Sequence, residues 1–211
     1  MNTELYKISA GDTYGSPYAY AVGYAPLHDR KSFVHPRMKE RNDEFIKLCG
    51  SKPGIEIDST KRLWPDILYC GGGHISYFVS EKVVKDLRNA EIELLDVTEF
   101  PIAGIENNKK SRLKIPEAPR YFVIEAKPEI YPYWERMRVD LNPEGKPILS
   151  PLPSPWPPKP KVYHKNKYHG GDLVSHEGYY NHDLYCTQRI IDLAEANDWK
   201  NIEFKPAGLF E

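Results

Sequence analysis

Cysteine is scarce in this chain. Of 211 residues only Cys49, Cys70 and Cys186 carry a thiol. The number is odd and no two form a CxxC pair. That argues against a disulfide framework or a cysteine-rich zinc site and fits a reducing compartment. Long apolar runs are missing as well, none approaching the roughly 20 residues that a membrane helix requires. Neither sign of charge dominates: 29 basic residues face 30 acidic ones, for a formal net charge of -1. Bulk electrostatics therefore favour neither nucleic acid nor an anionic membrane as a partner. Met1 to Lys7 has neither the basic start nor the apolar stretch of a secretion signal, so a cytosolic protein is expected.

Tyrosine and proline are plentiful instead. Fifteen tyrosines, four tryptophans and nineteen prolines predict a stiff surface of large amphipathic groups. Such groups bury area at low entropic cost, as binding surfaces do, although many tyrosines also fill strand faces. A hydrophobic content of 40% supplies a core for one domain over 1–211, or for two closely packed halves.

Strands are expected at Leu5–Ile8, within Tyr14–Tyr24, at Ile55–Ile57, at Tyr121–Ala126, and at Tyr131–Asp140 paired with Lys146–Leu149. Met38–Leu48 has the period of a short helix. Ser150 to Lys161 is proline-rich and predicts an extended polyproline-like strip, either a stiff connector or a ridge anchored by Trp156. The tally predicts an α+β fold, a mainly antiparallel sheet with a few short helices.

One pattern is written twice. Tyr77-Phe78-Val79-Ser80-Glu81-Lys82-Val83-Val84 matches Leu184-Tyr185-Cys186-Thr187-Gln188-Arg189-Ile190-Ile191 class for class. Each has apolar residues, a hydroxyl at a helix N-cap position, an acid or amide, a base and two β-branched residues. Asp66-Ile67-Leu68 and Asp172-Leu173-Val174 precede the copies, and Ile92–Val97 and Ile202–Phe204 suggest exit strands. Two pseudo-repeated strand–helix–strand units, 64–97 and 172–206, are expected, with 150–161 as the connector before the second.

Chemistry-bearing constellations are sparse. His164, His169, His176 and His182 share a segment with Asp172, Glu177 and Asp183, enough ligands for a metal-dependent hydrolase. Their spacing is not that of an HExxH helix, and a glycine-rich polar loop with solvated histidines fits better. There is no G-x-S-x-G elbow, and Gly71-Gly72-Gly73 lacks the Lys-Ser/Thr of a P-loop. Cys70 and Cys186 lie in apolar contexts where an inert thiol is ordinary. No catalytic residue, metal or cofactor is expected.

The repeated unit resembles the Imm11-like immunity proteins (the DUF1629 group). In that family an Asp-Ile/Leu run precedes a "vServv..l" helix start and a helix returning to a strand. Asp66-Ile67-Leu68, Phe78 through Leu87 and Ile92 through Val97 carry the likeness here. Cys186 through Ile191 and Asn201 through Pro206 are similar to the ending of that group and of the related double-CxxCG proteins. Ile46 and Ile67 stand where the first cysteine of each CxxCG would be, so no zinc site carries over. The resemblance implies a cytosolic antitoxin that binds a cognate secreted bacterial toxin. A peptide- or protein-binding scaffold is the other non-enzymatic alternative.

A tight inhibitor gains most from a few buried aromatic anchors inside a polar rim. Composition and expected exposure nominate Trp156, Tyr163, Tyr168, Tyr179 and Tyr180 as anchors, with His169 and Asp183 at the rim. Replacing Trp156 and Tyr180 by alanine should weaken toxin binding by several kcal/mol, about the range of interface hot spots. Unchanged affinity with an intact fold would remove both from the set.

Overall fold

Ser80 and Thr187 each close a short strand and open a helix, and each does so opposite an aspartate. The computed structural model describes residues 4–11, 16–25, 54–58, 61–70, 77–105, 112–130, 140–141, 147–148, 162–176, 183–207 and 209–210. Its strands are β1 (Tyr6–Ala10), β2 (Ala21–Ala25), β3 (Gly54–Ile57), β4 (Ile67–Tyr69), β5 (Tyr77–Ser80), β6 (Asp96–Phe100), β7 (Ile102–Ile105) and β8 (Tyr121–Glu125). They continue with β9 (Lys127–Ile130), β10 (Asp140–Leu141), β11 (Pro147–Ile148), β12 (Val162–Tyr163), β13 (Leu173–His176), β14 (Leu184–Cys186), β15 (Ile202–Pro206) and β16 (Leu209–Phe210). The α-helices among the described residues are α1 (Glu81–Asn89) and α2 (Gln188–Ala196).

Two sheets carry the frame. One runs β4-β5-β8-β6; the other runs β15-β1-β14-β13-β9. Their registers correspond. Ile67 opposes Val79 and Leu68 opposes Phe78, as Leu173 opposes Cys186 and Val174 opposes Tyr185. Val79 then pairs with Phe122 as Cys186 pairs with Tyr6, and Ile124 with Val97 as Ile8 with Phe204. The repeat is thus deeper than strand–helix–strand. β8 supplies the middle strand of the first sheet, and β1, from the far end of the chain, supplies its counterpart in the second.

The local reasons match too. The Ser80 hydroxyl donates to Asp66 Oδ1 at 2.7 Å, and the Thr187 hydroxyl donates to Asp172 Oδ1 at 2.7 Å. The backbone N–H groups of Ser80 and Thr187 donate to the carbonyls of the same two aspartates. Ser80 also accepts from the Val83 amide as a helix N-cap. Thr187 differs from expectation: it stands at the N-cap, but its side chain makes no cap bond and serves Asp172 alone. Both helices end alike. Glu91 and Asp198 adopt φ of 57° and 51°, letting Ile92 N–H reach Leu87 O and Trp199 N–H reach Ala194 O. That is a Schellman closure, here without glycine.

Corresponding positions meet in one core. Ile67, Val79, Val83, Leu87, Ile92 and Ile124 pack with Leu173, Cys186, Ile190, Ala194, Trp199 and Ile8. Bonds cross between the units at matching places. Lys82 Nζ reaches Asp66 and the Asp198 carbonyl, while Arg189 reaches Asp172 and the Ala90 carbonyl. The Trp199 indole donates to Asp86 at 2.7 Å, and the Lys200 amide donates to Asp66 Oδ2 at 2.9 Å.

Each sheet has a second cover. The three-stranded sheet β2-β3-β7 brings Ile55 and Ile57 into a cluster with Leu68, Phe78 and Tyr121. Gly54 permits the close pairing there: its φ is 137°, and a Cβ would stand 2.4 Å from the Pro101 carbonyl oxygen. On the other sheet, Tyr163 of β12 packs with Val174 and Tyr185, and with Ile130 of the edge strand β9.

The α+β expectation with mainly antiparallel pairing holds, the exceptions being the parallel pairs β3–β7, β9–β13 and β12–β16. Other expectations need correction. The exit strand after α1 begins at Asp96, because Ile92 belongs to the helix-closing turn. Among the described residues of Tyr14–Tyr24, only Ala21 onward is strand, and Tyr18 makes a single bridge to Leu63. Residues 162–183 are not simply a loop, since Leu173–His176 is an interior strand of the five-stranded sheet. The expected hairpin survives at Asp140↔Ile148 and Leu141↔Pro147. The Met38–Leu48 helix, the Gly71–Gly73 turn and the 150–161 strip lie outside the described residues. Among the described residues, no helix is long and apolar enough to cross a membrane.

Asp66→Ala strands a buried hydroxyl and an amide at once, and should lower unfolding free energy by about 1–3 kcal/mol. Asp172→Ala should cost less, because the Asp172 side chain is 29% exposed against 12% for Asp66. Urea denaturation of both variants checks the order.

Candidate functional site

β1 alternates: Tyr6 and Ile8 face the shared core, so Lys7 faces the other side of its sheet. Lys7 stands opposite Tyr185 in the β1–β14 register, and Asp183 lies two residues before Tyr185, on that same side. The Lys7 ammonium donates to Asp183 Oδ2 at 2.6 Å. The lysine side chain is 31% exposed and the aspartate side chain 6%. Asp183 Oδ1 is buried and, among the described residues, has no hydrogen-bond partner.

Three tyrosines feel the Asp183 charge, Tyr163 and Tyr185 on its side of the sheet and Tyr77 on the core side. Tyr163 and Tyr185 meet edge to face with ring centroids 6.0 Å apart and hydroxyl oxygens 3.4 Å apart. Tyr77 reaches across from the other sheet, its hydroxyl oxygen accepting from the Leu184 amide at 3.3 Å. Burial, then the Asp183 charge, pushes the Tyr77 phenol far above its ordinary range. Burial also raises Tyr163, and it raises Tyr185 together with the neighbouring Tyr163, Asp183 and Tyr77. These phenols stay protonated at neutral pH and act as neutral hydrogen-bonding walls. The Cys186 thiol, buried on the core side, is pushed up to about 12, which leaves it protonated and a poor nucleophile.

A second carboxylate organises the adjacent loop. Glu129 is buried on β9, and its Oε2 accepts the backbone amides of His169 at 2.9 Å and Gly171 at 3.3 Å. The Tyr168 hydroxyl folds back to the Gly171 carbonyl at 3.0 Å. Gly171 has no room for a side chain, since a Cβ there would lie 2.6 Å from Val174 Cγ1. Burial, followed by the Glu129 and Asp172 charges, pushes Tyr168 up to about 12. The loop therefore holds Tyr168 half-buried and His169 exposed in a defined place.

The nominated residues divide accordingly. Tyr163 is fully buried and Asp183 is 4% exposed, so the exposure assumed for both does not hold. Tyr163 packs on Tyr185 as a wall, and Asp183 lies beneath Lys7 where a rim was expected. Tyr168 and His169 reach the surface as assumed. Trp156, Tyr179 and Tyr180 lie outside the described residues. Among the described residues no three His, Cys, Asp or Glu side chains gather as a metal-holding group. Lys7, Tyr77, Tyr185 and Glu129 were missed. The only sequence signal for Lys7 was its place in an alternating opening strand, and nothing local tied it to a residue 176 positions away.

No protein-family model matches the chain, and no match is found among curated proteins.

The tyrosine pKa directions set an alkaline limit. Tyr77, Tyr163, Tyr168 and Tyr185 lose protons near 10 when unfolded but at higher pH when folded. Their contribution to stability is therefore complete below pH 10 and is lost as pH climbs toward the folded-state values. Urea midpoints should hold from about pH 7 to 9 and fall steeply by about pH 11, with tyrosinate absorbance appearing together with unfolding.

Proposed function

We propose that this chain is an immunity protein that binds a cognate secreted bacterial toxin and neutralises it by steric blockade. It acts in the cytosol of the cell that makes it. The observation that carries this reading is the buried Asp183 carboxylate, with Oδ2 met by Lys7 and Oδ1 unpartnered. A buried acceptor without a donor costs about 1–3 kcal/mol, a deficit that a docking partner can relieve. Tyr168 and His169 lie on the loop that leads into β13, whose Val174 packs with Tyr163 and Tyr185 beside this carboxylate, and they add an aromatic and a polar contact.

The family resemblance adds to the reading from a different direction. Three of its residues make bonds that cross between the units: Asp66 accepts from the Lys200 amide, Lys82 reaches the Asp198 carbonyl and Arg189 reaches the Ala90 carbonyl. A shared scaffold with a variable outer face suits proteins that each meet a different toxin.

Co-expression with the toxin encoded by the neighbouring open reading frame tests the proposal. The chain should restore growth and co-purify with the toxin, and Tyr168→Ala should weaken the complex by about 1–2 kcal/mol in calorimetry. Absence of both rescue and co-purification would exclude it.

A further inference from the structure

The geometry points to the Lys7–Asp183 ion pair as a displaceable latch whose incoming ligand is an arginine side chain of the partner. This rests on the binding reading above and names the group that reading leaves open. Among the described residues, the Lys7 ammonium is bonded to Asp183 through Oδ2. An ammonium is a compact point charge that suits one oxygen, and here it leaves Oδ1 bare. A guanidinium presents two parallel N–H donors spaced to meet both oxygens of a carboxylate. Exchange of Lys7 for arginine would satisfy the buried atom while preserving the charge balance.

The route in follows from exposure. Lys7 is the solvent side of the pair and Asp183 the buried side, so the lysine can swing out into water with little disturbance to the sheet. Its backbone stays fixed by pairing with Tyr185 and Lys205 on the two neighbouring strands. The surroundings add no competing charge. Tyr163 and Tyr185, on the Asp183 side of the sheet, are uncharged phenols at neutral pH. Cation–carboxylate pairing in this setting is bought by loss of water from both groups, which only a bidentate fit offsets. That condition separates arginine from lysine as the incoming residue.

The protein alone tests this, with ethylguanidinium chloride as the probe and ethylammonium chloride at equal ionic strength as the control. In the wild-type chain, ethylguanidinium should shift the amide resonances of Leu184 and Tyr185 saturably, and Asp183→Asn should abolish the shift. In Lys7→Ala the competing ammonium is gone. Ethylguanidinium should then bind about tenfold more tightly than in the wild type and raise the thermal midpoint by about 2–4 °C over the control.

If the ethylammonium control matches or exceeds ethylguanidinium, the latch is not selective for arginine and the inference falls. It also falls if no saturable shift appears in the wild type, a measurement that does not require Lys7→Ala to fold. Because no toxin is present, a failed titration beside an intact toxin complex would reject the latch alone. A successful titration without toxin binding would reject the immunity reading alone.

Discussion

Two aspartates opposite two hydroxyls hold this molecule in register. Asp66 meets Ser80 and Asp172 meets Thr187 through the side chain and through the backbone at the same step of the strand pair. The effect is local first. Each pair fixes where a strand stops and a helix begins, and so fixes which helix face meets the sheet. With that angle set, Val83 and Leu87 of one unit and Ile190 and Ala194 of the other enter a common core. Lys82 and Arg189 then extend the same carboxylates to the opposite unit's helix-closing turn. One small motif thus acts on strand register, helix placement and the contact between halves.

The two units are alike in frame and unlike in cover. The first sheet is backed by β2, β3 and β7, a largely aliphatic and aromatic layer. The second is backed by Tyr163 of β12, with Lys7 and Asp183 on that same side. The position that holds buried Val123 in the first sheet holds Lys7 in the second. An apolar-to-basic change at matched positions is costly inside a fold unless a counter-charge comes with it, and Asp183 supplies that charge. The second unit therefore carries a polar interior where its relative carries a packed one. That asymmetry, more than any single residue, distinguishes the second outer face from the first.

Legibility followed the distance between interacting residues. The N-cap role of Ser80, the amphipathic face of Val83, Val84 and Leu87, and the strand at Tyr121–Glu125 all rest on neighbours a few positions away. Those were readable because helix period and strand alternation are local properties. Tyr163 was misplaced because a tyrosine in a proline-flanked polar stretch looks exposed until another ring is known to cover it. Its partner, Tyr185, belongs to a strand 22 residues on. Asp183 was misplaced for the same reason, its burial depending on Lys7 and on the β1–β14 pair.

By itself the sequence determined the α+β class and the hydroxyl-led starts of α1 and α2. Each of these follows from side-chain periodicity and from backbone preferences within a turn or two. Only the tertiary structure decided that β1 crosses the whole chain to complete the second sheet, and that a lysine and an aspartate meet on the side of that sheet away from the shared core. Strand pairing is non-local, and the free energy of a buried charge depends on what lies within a few ångströms in space. No linear pattern encodes that neighbourhood.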